Sequence, residues 1–133
     1  MEGGFKMKNI IVTEIIAERD RYVANATSEI DEEKIGALKD GGRMLVDSDR
    51  LAFVYVLEDE QTLYYVRFEE AMWPSLKTFI ERPKPFFIRL REGAFISLES
   101  IESELRFLID NIRGNGNYGE KMEKAVQNTF EKR

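Results

Sequence analysis

The stretch Leu51-Ala52-Phe53-Val54-Tyr55-Val56-Leu57-Glu58-Asp59-Glu60-Gln61-Thr62-Leu63-Tyr64-Tyr65-Val66-Arg67-Phe68 reads as two β-strands joined by a polar turn. Leu51 to Leu57 is apolar at every position, the pattern of a strand covered on both faces or lying inside a sheet. Thr62 to Phe68 is rich in aromatic and β-branched side chains, which suit a pleated surface. Glu58-Asp59-Glu60-Gln61 can join neither apolar run, so the chain reverses there and the two strands form a hairpin.

Downstream, Met72, Trp73, Leu76, Phe79 and Ile80 fall at helical spacing, with Pro74 acceptable in a first turn. Arg82-Pro83-Lys84-Pro85 ends that helix, because each proline biases its predecessor toward extended backbone. Phe86–Arg91 and Ala94–Leu98 flank Glu92-Gly93 as a second hairpin. Ile101, Leu105, Leu108, Ile109 and Ile112 mark an amphipathic helix with Ser100 as its candidate cap. Gly114 ends it, and Glu120 to Phe130 forms a last helix with Met122, Val126 and Phe130 inward. Upstream, Ile10–Ala17 and Tyr22–Ala26 flank the charged tetrad Glu18-Arg19-Asp20-Arg21 as a third hairpin. Thr27 to Asp40 is ambiguous. Ser28 followed by Asp31 resembles a helix start, and Ile30, Lys34, Ile35 and Leu38 approximate helical spacing, but Gly36 opposes it. A short helix and an irregular extended segment fit equally, and Gly41-Gly42 ends either one.

The expected fold is α+β. Residues 1–133 form a single domain, an antiparallel sheet of five to seven strands built from hairpins, with two or three helices on one side, the last two C-terminal. Residues 1–8, which include Gly3-Gly4, are expected to be disordered.

Composition bounds the chemistry. The chain is 43% hydrophobic and 34% charged, the mix of a soluble globular protein. It has neither cysteine nor histidine, which excludes thiol nucleophiles, disulfides and both Ser-His-Asp and Cys-His mechanisms. The usual zinc ligands are missing too, so no metal and no cofactor is expected. Twenty Lys and Arg against 25 Asp and Glu leave a net charge of −5, without the basic footprint of a nucleic-acid binder. No secretory leader is expected, since Thr13 and Glu14 interrupt Ile10-Ile11-Val12, and no run approaches the roughly 18 apolar residues of a membrane helix. The expected location is the cytoplasm.

Two stretches are distinctive: Leu45-Val46-Asp47-Ser48-Asp49 leading into Leu51–Glu58, and Asn111-Ile112-Arg113-Gly114-Asn115-Gly116-Asn117-Tyr118-Gly119-Glu120. On these the chain resembles a small UPF-type family of uncharacterised cytosolic proteins from bacilli and related Gram-positive bacteria. The resemblance runs from about Leu45 to Phe130 and fades over the first forty residues, where Asp31 to Gly42 is longer than the family pattern. It implies no activity, cofactor or catalytic residue.

Several motifs invite a chemical reading beside a plainer one. Gly114-Asn115-Gly116-Asn117-Tyr118-Gly119 matches Gly-x-Gly-x-x-Gly, but a helix precedes it where a dinucleotide site needs a strand. Asn115, Asn117 and Tyr118 remain candidates for a polar-ligand or anion site, against the plainer reading of a helix-to-helix turn. Asp47-Ser48-Asp49 lacks the further ligands of a calcium loop and reads as a turn. Glu58-Asp59-Glu60 and Glu69-Glu70 would supply a general acid or base only if one were buried. In Lys84–Arg91, strand alternation puts Phe87, Arg89 and Arg91 on one face, where an aromatic beside two guanidiniums suits a base or a phosphate. A solvated face opposite a core face explains the same pattern. Tyr64, Tyr65 and Trp73 are core candidates that would serve as interface anchors if exposed.

Three function classes follow. The first is a small interaction or regulatory module acting through protein–protein contacts, with another protein or as a homodimer. The second is a small-molecule, nucleotide or anion-binding domain. The third, ranked last, is an enzyme dependent on a carboxylate and a divalent ion; without His or Cys, catalysis is not the expected role.

Overall fold

Three antiparallel units build the sheet. The N-terminal hairpin is β1 (Lys6–Ala17) with β2 (Tyr22–Thr27). A meander follows, β3 (Lys39–Asp47), β4 (Ala52–Glu58) and β5 (Thr62–Glu69), and then a hairpin of β6 (Phe86–Arg91) and β7 (Ala94–Ser97). The computed structural model describes residues 6–27, 30 and 32–131. Two parallel pairs, β1 with β5 and β2 with β6, join the units into one seven-stranded sheet of order β3-β4-β5-β1-β2-β6-β7. The expected α+β domain built from hairpins is therefore present, but its sheet is mixed rather than wholly antiparallel. Each hairpin is a local pattern; the parallel seams join segments tens of residues apart and leave no mark in either one. The N-terminal hairpin sits in the middle, and β1 is the central strand. Lys6, Met7 and Lys8 pair with Thr62, Leu63 and Tyr64, so the disorder expected over 1–8 does not hold for residues 6–8; residues 1–5 lie outside the described residues.

The helices are α1 (Glu32–Ile35), α2 (Trp73–Glu81), α3 (Ile101–Ile112) and α4 (Glu120–Phe130). Their apolar stripes cover one face of the sheet. Trp73, Leu76 and Phe79 of α2, Leu105 and Ile112 of α3, and Met122 and Val126 of α4 pack with Phe53, Tyr55, Val66 and Phe68. Phe79 and Phe86 meet edge to face at 4.9 Å, and Tyr22 stacks on Phe86 at 6.0 Å. Burying such rings contributes about 1.5–3 kcal/mol each. Ser100 precedes α3 as expected, yet its side chain makes no cap hydrogen bond; its N–H donates instead to the Tyr55 hydroxyl at 3.1 Å.

Both alternatives for Thr27–Asp40 hold in part, since a four-residue helix is followed by a strand starting at Lys39. Ser28 and Asp31 lie outside the described residues. Gly41-Gly42 does not end the segment. Both lie inside β3, where the register shifts between Asp40 and Met44. A Cβ on Gly41 would stand 2.5 Å from the Val56 carbonyl oxygen, and Gly42 has φ +69°, so glycine suits both places. The bulge frees donors that carboxylates then meet. Asp40 Oδ1 accepts from Gly42 N–H and, at 2.5 Å, from the Tyr55 hydroxyl; Asp40 Oδ2 accepts from Glu99 N–H, and Glu104 Oε1 from Met44 N–H. These bonds tie an edge strand to the start of α3. Burial, with the Asp40 bond second, pushes the Tyr55 phenol pKa up.

Candidate functional site

Strand alternation sends every second side chain to the face away from the helices, and among the described residues no helix or strand is layered over that face. Register aligns its residues in rows across the sheet. One row runs Leu45, Val54, Arg67, Ile11, Thr27. The next holds Glu14, Asn25, Arg89 and Phe95, and a third holds Ile16, Val23, Phe87 and Ser97. Val54, Val56 and Val23 are buried among larger neighbours, while Met7, Ile11, Ile16, Leu45 and Phe95 stand out into solvent. Those five are all but one of the exposed large apolar side chains among the described residues; the sixth, Phe107, lies on the outer side of α3.

Four arginines at this face, Arg67, Arg89, Arg21 and Arg43, have partners within the chain. Arg67 is 7% exposed, and its Nη2 donates to Asp47 Oδ2 at 2.5 Å while its Nε has no partner. The bond from Arg67 holds the Asp47 carboxyl below the usual carboxylate range, against an opposing effect of burial. Asp47 Oδ1 accepts from Arg50 N–H at 3.2 Å, the backbone-bonded turn expected of Asp47-Ser48-Asp49. Leu45, Asp47, Ser48, Asp49, Tyr65 and Arg67 line an open concavity of about 440 Å³ here. Toward the other edge, Arg89 Nε donates to Asn25 Oδ1 and Asn25 Nδ2 to Glu14 Oε2, both at 2.8 Å. The Arg21 guanidinium lies 4.8 Å from the Phe95 ring and 5.6 Å from Phe87, and bonds Glu18 at 2.7 Å. Arg43 and Glu58 approach to 3.7 Å.

The sequence candidates divide across the molecule. Phe87 and Arg89 share the uncovered face, with Arg91 exposed beyond a register shift in β6. Their groups already face partners of this chain. Asn115, Asn117 and Tyr118 lie between α3 and α4, on the helix side. Asn115 Oδ1 accepts from Asn117 N–H at 3.0 Å, and Asn111 Nδ2 donates to the Tyr118 hydroxyl at 2.6 Å. With φ +66° at Gly114 and +90° at Gly119, this is the helix-to-helix turn. The two candidate groups are not brought together. Of the interface candidates, Tyr65 is half-buried on the uncovered face, whereas Tyr64 and Trp73 are fully buried on the core side and offer no surface. Tyr64 donates to Asp59 Oδ2, and Trp73 Nε1 donates to the Phe68 carbonyl at 3.0 Å. None of Glu58, Asp59 and Glu60 is buried; Asp59 Oδ1 accepts from Gln61 and Thr62 N–H and holds the turn. The Gln61 N–H bond is the main cause of its lowered pKa.

Met7, Ile11, Ile16 and Leu45 escaped sequence reasoning. A signal was present in the doubled pairs Ile10-Ile11 and Ile15-Ile16, because alternation sends one isoleucine of each pair away from any one-sided core. Among the described residues, no group of three or more carboxylates could hold a metal ion, and no helix is long and apolar enough to cross a membrane.

Comparison with known proteins gives the chain a family context. The profile of UPF0738, a family of unknown function, matches residues 10–130. A UPF0738 protein of Halalkalibacterium halodurans is 49% identical over 119 residues, covering 90% of this chain and 94% of that one. One from Shouchella clausii is 42% identical over 124 residues (93% and 100%), and one from Bacillus licheniformis 41% over 126 (93% and 99%). The family match thus begins at residue 10, within β1, and takes in β2 as well as the two distinctive stretches. No solved structure matches the fold.

Proposed function

The chain belongs to the UPF0738 family, and we propose that it is a small interaction module that binds a protein partner through the uncovered face of its sheet. The observation that carries this is the gathering of Met7, Ile11, Ile16, Leu45 and Phe95 on one face while the helices satisfy the other. Scattered apolar side chains are ordinary on a surface; five of the six large exposed ones among the described residues on a single sheet face, three of them along β1, mark a contact site. The role is binding rather than catalysis, and its place is the cytoplasm, a reading compatible with a chain without cysteine. A nucleotide site at Phe87 and Arg89 is the weaker reading, because Asn25 and Phe95 already occupy the Arg89 guanidinium.

The test uses the absence of native cysteine. Ile11→Cys on the uncovered face and Phe107→Cys on the helix side are labelled with a maleimide in lysates of cells producing the full chain. Cys at position 11 is expected to react at least tenfold more slowly, although Ile11 and Phe107 differ less than twofold in exposure, 40% against 64%. Equal rates would overturn the proposal.

A further inference from the structure

We infer that the occupant of the uncovered face is a second copy of this chain, the two sheets packing face to face about a two-fold axis along β1. This rests on the interaction reading above and names its partner. The first support is the position of the apolar centre. An isologous contact needs a self-complementary patch centred on the axis. Here β1 is the fourth of seven strands, and it carries Met7, Ile11 and Ile16. Rotation about β1 lays the β3 edge of one copy over the β7 edge of the other. The two remaining exposed apolar side chains, Leu45 on β3 and Phe95 on β7, then lie on the overlaid edges in adjacent rows.

Charge supports the same occupant. The chain carries a net −5, which opposes self-association in general. On this face, however, Arg67 is paired with Asp47, Arg43 with Glu58, and Arg89 with Glu14 through Asn25. Two copies therefore meet without a field of like charge, whereas a strongly charged partner would find no complement. The area suffices as well. Seven strands about 4.8 Å apart, over about six residues of about 3.3 Å, give a footprint of about 600 Å² before side-chain relief is counted. Specific interfaces bury from about 600 Å² per partner upward, with about 800 Å² as the standard size, so this footprint reaches the lower end of that range.

The experiment is light scattering of the purified full chain on a sizing column over a hundredfold concentration range, joined to cross-linking. Packed sheets lie about 10 Å apart, too far for a disulfide, so single cysteines are joined with a short bismaleimide. The expected mass is twice 15.5 kDa, with Ile11→Cys and Ile16→Cys cross-linking and Phe107→Cys not. A single-chain mass at every concentration overturns the inference, as does a dimer that cross-links through position 107 and not through 11 or 16. If the purified chain is monomeric while position 11 stays protected in lysate, the second copy fails and the interaction reading stands. Loss of both signals removes both.

Discussion

Arg67 is a charged side chain built into a sheet face, with 8% of its side chain exposed and its Nε without a partner. Its neighbours in register, Val54 and Ile11, carry no side-chain acceptor, and the Asp47 carboxylate in the adjoining row balances the guanidinium. Removing that carboxylate would strand a desolvated cation. Asp47→Ala is expected to cost about 2 kcal/mol, below the range for a wholly buried pair because water reaches Asp47. Urea unfolding at pH 7 measures it. The pH dependence follows from the depressed carboxyl. Its contribution is present above the ordinary carboxylate pKa of about 3.9 and is lost as pH falls through the lower folded value. The difference between the wild type and Asp47→Asn should therefore shrink from pH 7 to pH 3; a difference that is constant with pH would contradict the pair. Residue types at this scale were readable, but sides were not. Tyr64 and Tyr65 are adjacent and identical, yet one is core and the other faces outward, because the strand's phase depends on which face the helices cover.

At the scale of elements, the bulge in β3 is the least replaceable piece of backbone. Asp40, Gly41 and Gly42 look like a segment end, since two glycines usually mark a turn. They act instead as a bend within an edge strand, which also blunts that edge against pairing with other chains. Gly41→Ala is expected to destabilise by about 2 kcal/mol or more, because its Cβ would meet backbone that cannot swing aside. Gly36→Ala has open space and no positive φ, so it should be neutral or stabilise by a few tenths of a kcal/mol up to about 1 kcal/mol. Thermal melts of the two variants, side by side, check the contrast. The hairpins and α2, α3 and α4 were legible because apolar period and turn chemistry are local. The bulge was not, since the close approach that demands glycine comes from Val56 on the neighbouring strand.

For the whole molecule, a one-sided helix layer over a seven-stranded sheet leaves an apolar surface to be covered. If a second copy covers it, folding and association are linked, and the melting temperature rises with protein concentration by mass action. Ile16→Lys should abolish that dependence, with a cost to the isolated fold of about 0.5 kcal/mol or less, as for other exposed positions. Differential scanning calorimetry at several concentrations reads both effects. A melting temperature of the wild type that does not change with concentration would contradict the link. The amino-acid sequence by itself determined the α+β class, the hairpins, the amphipathic helices and the exclusion of thiol and imidazole chemistry, because these depend on residue identity and short-range periodicity. Only the tertiary structure decided the two parallel seams, the central place of β1, the burial of Tyr64 and Trp73, and the apolar face built from β1, β3 and β7. Strand order is set by which segments distant in the chain share a ladder. That choice is settled by burying one face of the whole sheet beneath its helices, and no local stretch of sequence contains it.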